Sequence, residues 1–101
     1  MDANISGASF NGDNTLANFT NVIATMAFIM DASEAKFNSA ILIDAHLSGN
    51  FTKADFTHAN LMGADLSYTN LYAAKISTQQ LMSARSICNA ILPDGSKGKC
   101  D

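Results

Sequence analysis

Ala54-Asp55-Phe56-Thr57-His58, Ala59-Asn60-Leu61-Met62-Gly63, Ala64-Asp65-Leu66-Ser67-Tyr68, Thr69-Asn70-Leu71-Tyr72-Ala73, Ala74-Lys75-Ile76-Ser77-Thr78 is one five-residue pattern written five times. A small residue comes first, then usually Asp or Asn, then a large apolar residue, then two variable positions. A period of five matches neither the 3.6 of a helix nor the 2 of a strand. It matches a chain that turns a corner every five residues and stacks on itself. Such a repeat encodes a scaffold and leaves function to the surface residues that vary.

Working outward, the large apolar centres are Ile5, Phe10, Phe19, Ile29, Phe37, Leu42, Leu47, Phe51, Phe56, Leu61, Leu66, Leu71 and Ile76, with Ala24 filling a weaker unit. Two residues before most centres the side chain is small, as at Ala3, Ala8, Ala17, Ala27, Ala35, Ala40, Ala45 and Gly49. Centres and small residues point to the axis, and the small ones leave room for the large ones. The remaining Asn, Asp, Ser, Thr and Gly tolerate tight turns and bond their own backbone.

This pattern resembles the pentapeptide-repeat family over residues 3–78. It is regular from Ala35 to Thr78 and degenerate from Gly12 to Glu34. The resemblance implies an all-β solenoid, a right-handed quadrilateral β-helix with four units per coil. The centres fall into columns: Phe10, Ile29, Leu47, Leu66, and Phe19, Phe37, Phe56, Ile76. Those columns give about four coils, with spacings of 18 to 20 residues instead of a constant 20. The shortfalls at Gly12–Leu16, Asp31–Glu34 and Ser48–Asn50 read as one tightened corner recurring in each coil, because a stack that slipped register would turn inward residues outward. Three unrelated bulges are the alternative.

The expected organisation is a β-helix over 1–78 and a C-terminal cap over 79–101. Ser77-Thr78-Gln79-Gln80 has a capping-box pattern, and Gln79 to Arg85 reads as a short helix. Ser86 to Leu92 reads as a last extended stretch stopped by Pro93-Asp94-Gly95. Cys88 and Cys100 bracket a polar loop and are expected to pair in a disulfide; a buried Cys88 with a free Cys100 is the alternative. Their spacing suits neither zinc nor a Cys-x-x-Cys redox motif.

The 101 residues carry a net charge of −3, which disfavours nucleic acid as a partner. No apolar stretch approaches the ~18 residues of a membrane span, and the start shows no signal-peptide pattern. That start favours the cytoplasm, whereas a formed disulfide would favour the periplasm or thylakoid lumen. His46 and His58 fall on different faces, outward and solvated. No cofactor, metal site, small-molecule substrate or catalytic constellation is expected. Asp55 and Asp65 are read as corner residues that accept from backbone amides.

The informative signal is outward hydrophobicity. Ile23, Met26, Ile41, Ile43 and Met62 share one expected face, and Phe28 and Met30 lie on the next. The face with Asn18, Thr20, Lys36, Asn38, Asp55, Thr57 and Lys75 is polar. A contiguous apolar patch marks a partner site; a one-residue shift of register within 20–36 would instead turn Ile23 and Phe28 inward. The expected function is therefore a non-enzymatic scaffold that binds a protein partner or a second copy of itself. A second reading rests on the resemblance alone: some pentapeptide-repeat proteins imitate DNA and act on DNA gyrase. Lys36, Lys53 and Lys75 interrupt the acidic positions that this role uses.

Overall fold

The computed structural model describes residues 3–100. The chain winds into a four-sided right-handed β-helix in which each side is one five-residue unit. Four short strands stack in one parallel sheet: β1 (Ser9–Phe10), β2 (Phe28–Met30), β3 (His46–Asn50) and β4 (Thr69–Asn70). The other sides are held by single parallel bridges, such as Asn18 to Lys36, Lys36 to Asp55 and Asp55 to Lys75. We label the sides A to D by their inward columns. Side A holds Ile5, Ala24, Leu42 and Leu61, and side B holds Phe10, Ile29, Leu47 and Leu66. Side C holds Phe51 and Leu71, and side D holds Phe19, Phe37, Phe56 and Ile76.

The pairing of Phe10 with Ile29 and Ile29 with Leu47 is the register read from the sequence columns. The same holds on side D. The recurring short corner is real and lies between sides B and C. Ladder contacts there pair Asn14 with the layer of Asp31, and Glu34 with the layer of Thr52. They identify Asn14 and Ala32 as the side C centres of the first two coils, which the sequence reading had left inside the shortened corners. Ala32 is fully buried. Asn14 stands where an apolar residue is expected, and its amide Nδ2 donates to the carbonyls of Phe10 at 2.9 Å and Met30 at 2.8 Å. A polar side chain at that site closes the corner that the missing residue leaves open.

Each corner carries a left-handed residue at the second variable position. Among the described residues, twelve non-glycine residues have φ between 48° and 65°, including Met26, Asp44, His58 and Tyr68. This conformation costs roughly 1–2 kcal/mol per L-residue, so the stack must repay it. It does so through the core and through Asx turns. The Asp or Asn before a centre accepts from the backbone N–H two residues on, as in Asn18 to Thr20, Asp55 to Thr57, Asn60 to Met62 and Asp65 to Ser67, all at 3.0–3.1 Å. The reading of Asp55 and Asp65 as corner residues therefore agrees with their contacts.

The core is a single column. Ala27, Ile29, Ala35, Phe37, Leu42, Phe51, Phe56, Leu66 and Leu71 have no solvent exposure. Phe19, Phe37 and Phe56 stack in parallel at centroid distances of 5.0 and 4.9 Å. Thr69 takes a small-residue slot and satisfies its buried hydroxyl on the Leu47 carbonyl at 2.7 Å. Among the described residues no buried side-chain polar atom lacks a partner.

The helix α1 spans Thr78–Ser83, shorter than the stretch read from sequence, with Ser77 as N-cap and a complete capping box to Gln80. The Gln80 amide also donates to the carbonyls of Phe56 and Ala59, at 2.7 and 2.9 Å. Of these, Ala59 O is the acceptor that a further side A unit would have met, as Asn60 N–H meets Ala40 O one coil below. The coil then resumes: Ser86 pairs with Asp65 and Ile91 with Asn70. Ser86–Leu92 is thus two sides of a fifth, partial coil, not a detached extended segment. Pro93-Asp94-Gly95 reverses the chain. Gly95 N–H donates to Leu92 O, Leu92 N–H donates to Ser96 O, and Ile91 bridges Lys97 in antiparallel fashion. Gly95 at φ 89° supplies the left-handed residue of this bulged hairpin.

Candidate interaction faces

On side A the outward columns run Asn4, Ile23, Ile41, Asn60 and Ser6, Thr25, Ile43, Met62. The second column continues onto α1, where Gly63 N–H donates to Ser83 O. On side B the outward column is Ser9, Phe28, His46, Asp65, Ser86. Met26 sits at the corner between A and B. Residues Ile23 and Ile43 are half-buried by their neighbours along the ladder. Met26, Phe28, Ile41 and Met62 are exposed, at 57%, 47%, 36% and 61%. Phe28 points outward between the buried Ala27 and Ile29, so residues 20–36 keep the register of the neighbouring coils. The six sequence-selected residues therefore lie on two adjoining sides and their shared corner.

Every methionine among the described residues, Met26, Met30, Met62 and Met82, is solvent-exposed. The repeat explains why: β-helix centres here are Leu, Ile, Phe and Ala, whose shapes fill a narrow column. Flexible thioether side chains are left for the surface, where they adapt to varied partners.

Side B also carries a stacked polar column. The Phe28 ring lies parallel to His46 at 4.4 Å. His46 Nδ1 is 3.7 Å from Asp65, and Arg85 reaches the same carboxylate oxygen at 3.6 Å. Burial raises the Asp65 pKa, but the Ser67 N–H and hydroxyl, Arg85 and His46 outweigh it, and the net shift is downward. These contacts hold Phe28 flat against the sheet. The sequence showed no sign of this column, because its members lie 18, 19 and 20 residues apart and meet only through the coil spacing.

Side D is polar, as expected. Asn18, Lys36, Asp55 and Lys75 form one ladder column. The Asp55 pKa is lowered, mainly by the Thr57 hydroxyl, with further help from the Thr57 N–H, Asn38 and Lys75 against a burial effect. Folding therefore favours ionised Asp55 and Asp65. Their stabilisation is present above the usual carboxylate range and is lost as the pH falls through the lowered values. Asp55→Asn with Asp65→Asn keeps the turn acceptors and removes the titration. The drop in urea midpoint from pH 7 to pH 3 is expected to be smaller in this double variant than in the parent; an equal drop would show that other groups carry the acid limb.

His58 lies on the D–A corner beside Thr57, Lys75, Ser77 and Gln80, at a shallow depression. His46 and His58 are thus on separate sides. Among the described residues no group of three His, Cys, Asp or Glu side chains is placed to hold a metal ion. Among the described residues no helix is long and apolar enough to cross a membrane. At the C-terminal end of the axis, Ile76, Leu81, Met82, Ile87 and Leu92 line an apolar groove of about 420 Å³. The sulfurs of Cys88 and Cys100 lie at disulfide distance, with Cα atoms 4.3 Å apart.

A family model described as "Pentapeptide repeats (8 copies)" matches residues 50–77. A search of curated proteins finds no match. Among solved structures, the chain is similar to a pentapeptide repeat protein from the Arabidopsis thaliana thylakoid lumen. The identity is 22%, the TM-score 0.32, and the match covers 88% of this chain. The chain spans 63% of the length of that protein. Residues 50–77 thus match the pentapeptide-repeat family, and the four-sided coil carries five-residue units on both sides of that stretch.

Proposed function

We propose that the protein is a non-enzymatic scaffold that binds another protein through sides A and B. The observation that supports this most is the exposure of Met26, Phe28, Ile41 and Met62 on adjoining ladder columns, whereas side D is polar. Isolated exposed apolar residues are ordinary, but a contiguous set on a small protein is a contact surface in waiting. The ladder holds the backbone beneath them, so little ordering entropy opposes docking. Repulsion by charge is small there: Asp65 is paired with Arg85, and Asp44 sits alone at the corner next to Met26.

Ile41→Lys combined with Met62→Lys tests the reading. Both side chains point outward, so the fold should persist. Sedimentation velocity at micromolar concentrations measures self-association. A quantitative pull-down from the source cell, with the double variant as the reference, measures other partners. Two buried charges at such a contact should weaken binding by tenfold or more, at about 1.4 kcal/mol per decade. A parent that stays monomeric and captures nothing beyond what the double variant captures would sink the proposal.

A further inference from the structure

We propose that Cys88 and Cys100 form a thiol–disulfide exchange site that latches the C-terminal tail over the open edge of the β-helix, with Cys100 as the sulfur attacked. In two lower layers the left-handed corner residue between sides B and C donates its N–H onward to the next coil, Asp31 to Ser48 O at 3.1 Å and Tyr68 to Cys88 O at 3.0 Å. In the fifth coil there is no next coil. The tail takes its place: Asn89 N–H donates to Gly98 O at 3.3 Å, Leu92 N–H to Ser96 O at 2.7 Å, and Gly98 N–H to Ala90 O at 2.7 Å. Gly98 is buried, and a Cβ there would collide with the Ile87 carbonyl. The tail is therefore an edge cover of the kind that keeps parallel sheets from pairing with other chains. A few hydrogen bonds in a two-stranded hairpin are marginal by themselves in water. The cystine is what makes the cover hold, through the loop that it closes between positions separated by 12.

The two sulfurs are not equivalent. Cys100 is exposed at the end of the tail, whereas Cys88 is half-buried in the coil. The Cys88 Sγ accepts a hydrogen bond from Asn89 Nδ2 at 3.5 Å. A donor on that sulfur stabilises it as a leaving thiolate. The exchange runs with a dithiol as the reductant. One of its thiolates attacks Cys100 Sγ, the Cys88–Cys100 bond breaks, and the electron pair leaves on Cys88 Sγ, which then takes up a proton. The second thiol, once deprotonated, displaces Cys100 as a thiolate. The dithiol ends as a disulfide, oxidised by two electrons, and the protein carries two thiols. Freed of the latch, residues 96–100 leave the edge, and the N–H groups of Asn89 and Leu92 become available.

The test uses the full chain. Alkylation without reductant first establishes that both cysteines are bonded; free thiols at this stage overturn the proposal. Brief treatment with glutathione, followed by peptide mapping, locates the mixed disulfide. It is expected mainly on Cys100; equal labelling, or labelling mainly on Cys88, overturns the assignment. Asn89→Gly keeps the left-handed backbone at φ 61° and removes the amide donor, and is expected to slow reduction by dithiothreitol about threefold or more. An unchanged rate rejects the role of Asn89. Trypsin cleavage after Lys97 is expected to rise about tenfold or more on reduction, as the edge opens. A change under about twofold rejects the latch.

Discussion

Phe37→Ala is expected to cost about 3–5 kcal/mol, the range for emptying a buried aromatic site. Phe37 has no solvent exposure and stacks between Phe19 and Phe56, with Phe51 tilted against it at 6.0 Å. A domain of this size has in total roughly 5–15 kcal/mol of stability, so the loss is a large share of it. Inward side chains from all four sides meet around Phe37, and neighbouring layers are tied by ladder hydrogen bonds, so the cavity has little freedom to collapse. The melting temperature should fall by roughly 12 °C or more. Phe37→Leu fills most of the site and should cost under about 1.5 kcal/mol. Phe19→Ala makes an informative comparison, since Phe19 is 7% exposed in the first coil and should cost less than Phe37→Ala. Urea unfolding of the three variants measures this. A Phe37→Ala cost near 1 kcal/mol would mean that the stacked rings are not the support of the core.

The second large effect concerns register. One glycine inserted between Asp55 and Phe56 should destabilise the protein by roughly 3–7 kcal/mol. The insertion either turns Phe56 outward, losing about 1.5–3 kcal/mol of burial, or forces a bulge between two layers. In both cases it disrupts the bonds from Asp55 N–H to Ala35 O, Phe37 N–H to Asp55 O and Phe56 N–H to Lys75 O, each worth about 0.5–1.5 kcal/mol. The same glycine inserted between Asp31 and Ala32 should be far milder, about 1 kcal/mol, comparable to a lost hydrogen bond. There the step from side B to side C is three residues, from Ile29 to Ala32. The coil beneath takes four residues, Leu47 to Phe51, and the next takes five, Leu66 to Leu71. This corner already accommodates all three lengths. Equal losses from the two insertions would refute the idea of a corner with adjustable length.

Much of this architecture was legible because a period of five has no other stable use in a chain of this composition. The inward columns of the regular units followed from it, and so did the polar side D and the outward placement of Ile41 and Met62, whereas Phe28 rested on a register within 20–36 that the ladder decides. Asn14 and Ala32 were missed because neither looks like a centre: one is polar and the other small. Their positions emerge only when the ladder shows which layer each backbone group meets. Ile87 and Leu92 were missed as centres of a fifth coil for a related reason. The helix interrupts the five-residue count between Ile76 and Ile87, and a sequence pattern cannot be carried across an element with a different rise per residue.

The sequence by itself determined which side chains face the axis in the regular units, because alternation along each short side and the recurrence of small residues leave one consistent packing there. It also determined where the helix starts, because Ser77 and Gln80 are complementary within four residues. Tertiary structure alone decided what meets across layers: Phe28 on His46, His46 and Arg85 on Asp65, and the Gln80 amide on the Phe56 and Ala59 carbonyls. It also decided that the polar tail folds back as an edge cover instead of trailing into solvent. Local sequence specifies the corner at every fifth residue. The length of each coil, set by how its corners tighten, specifies which residues 18 to 21 positions apart become neighbours.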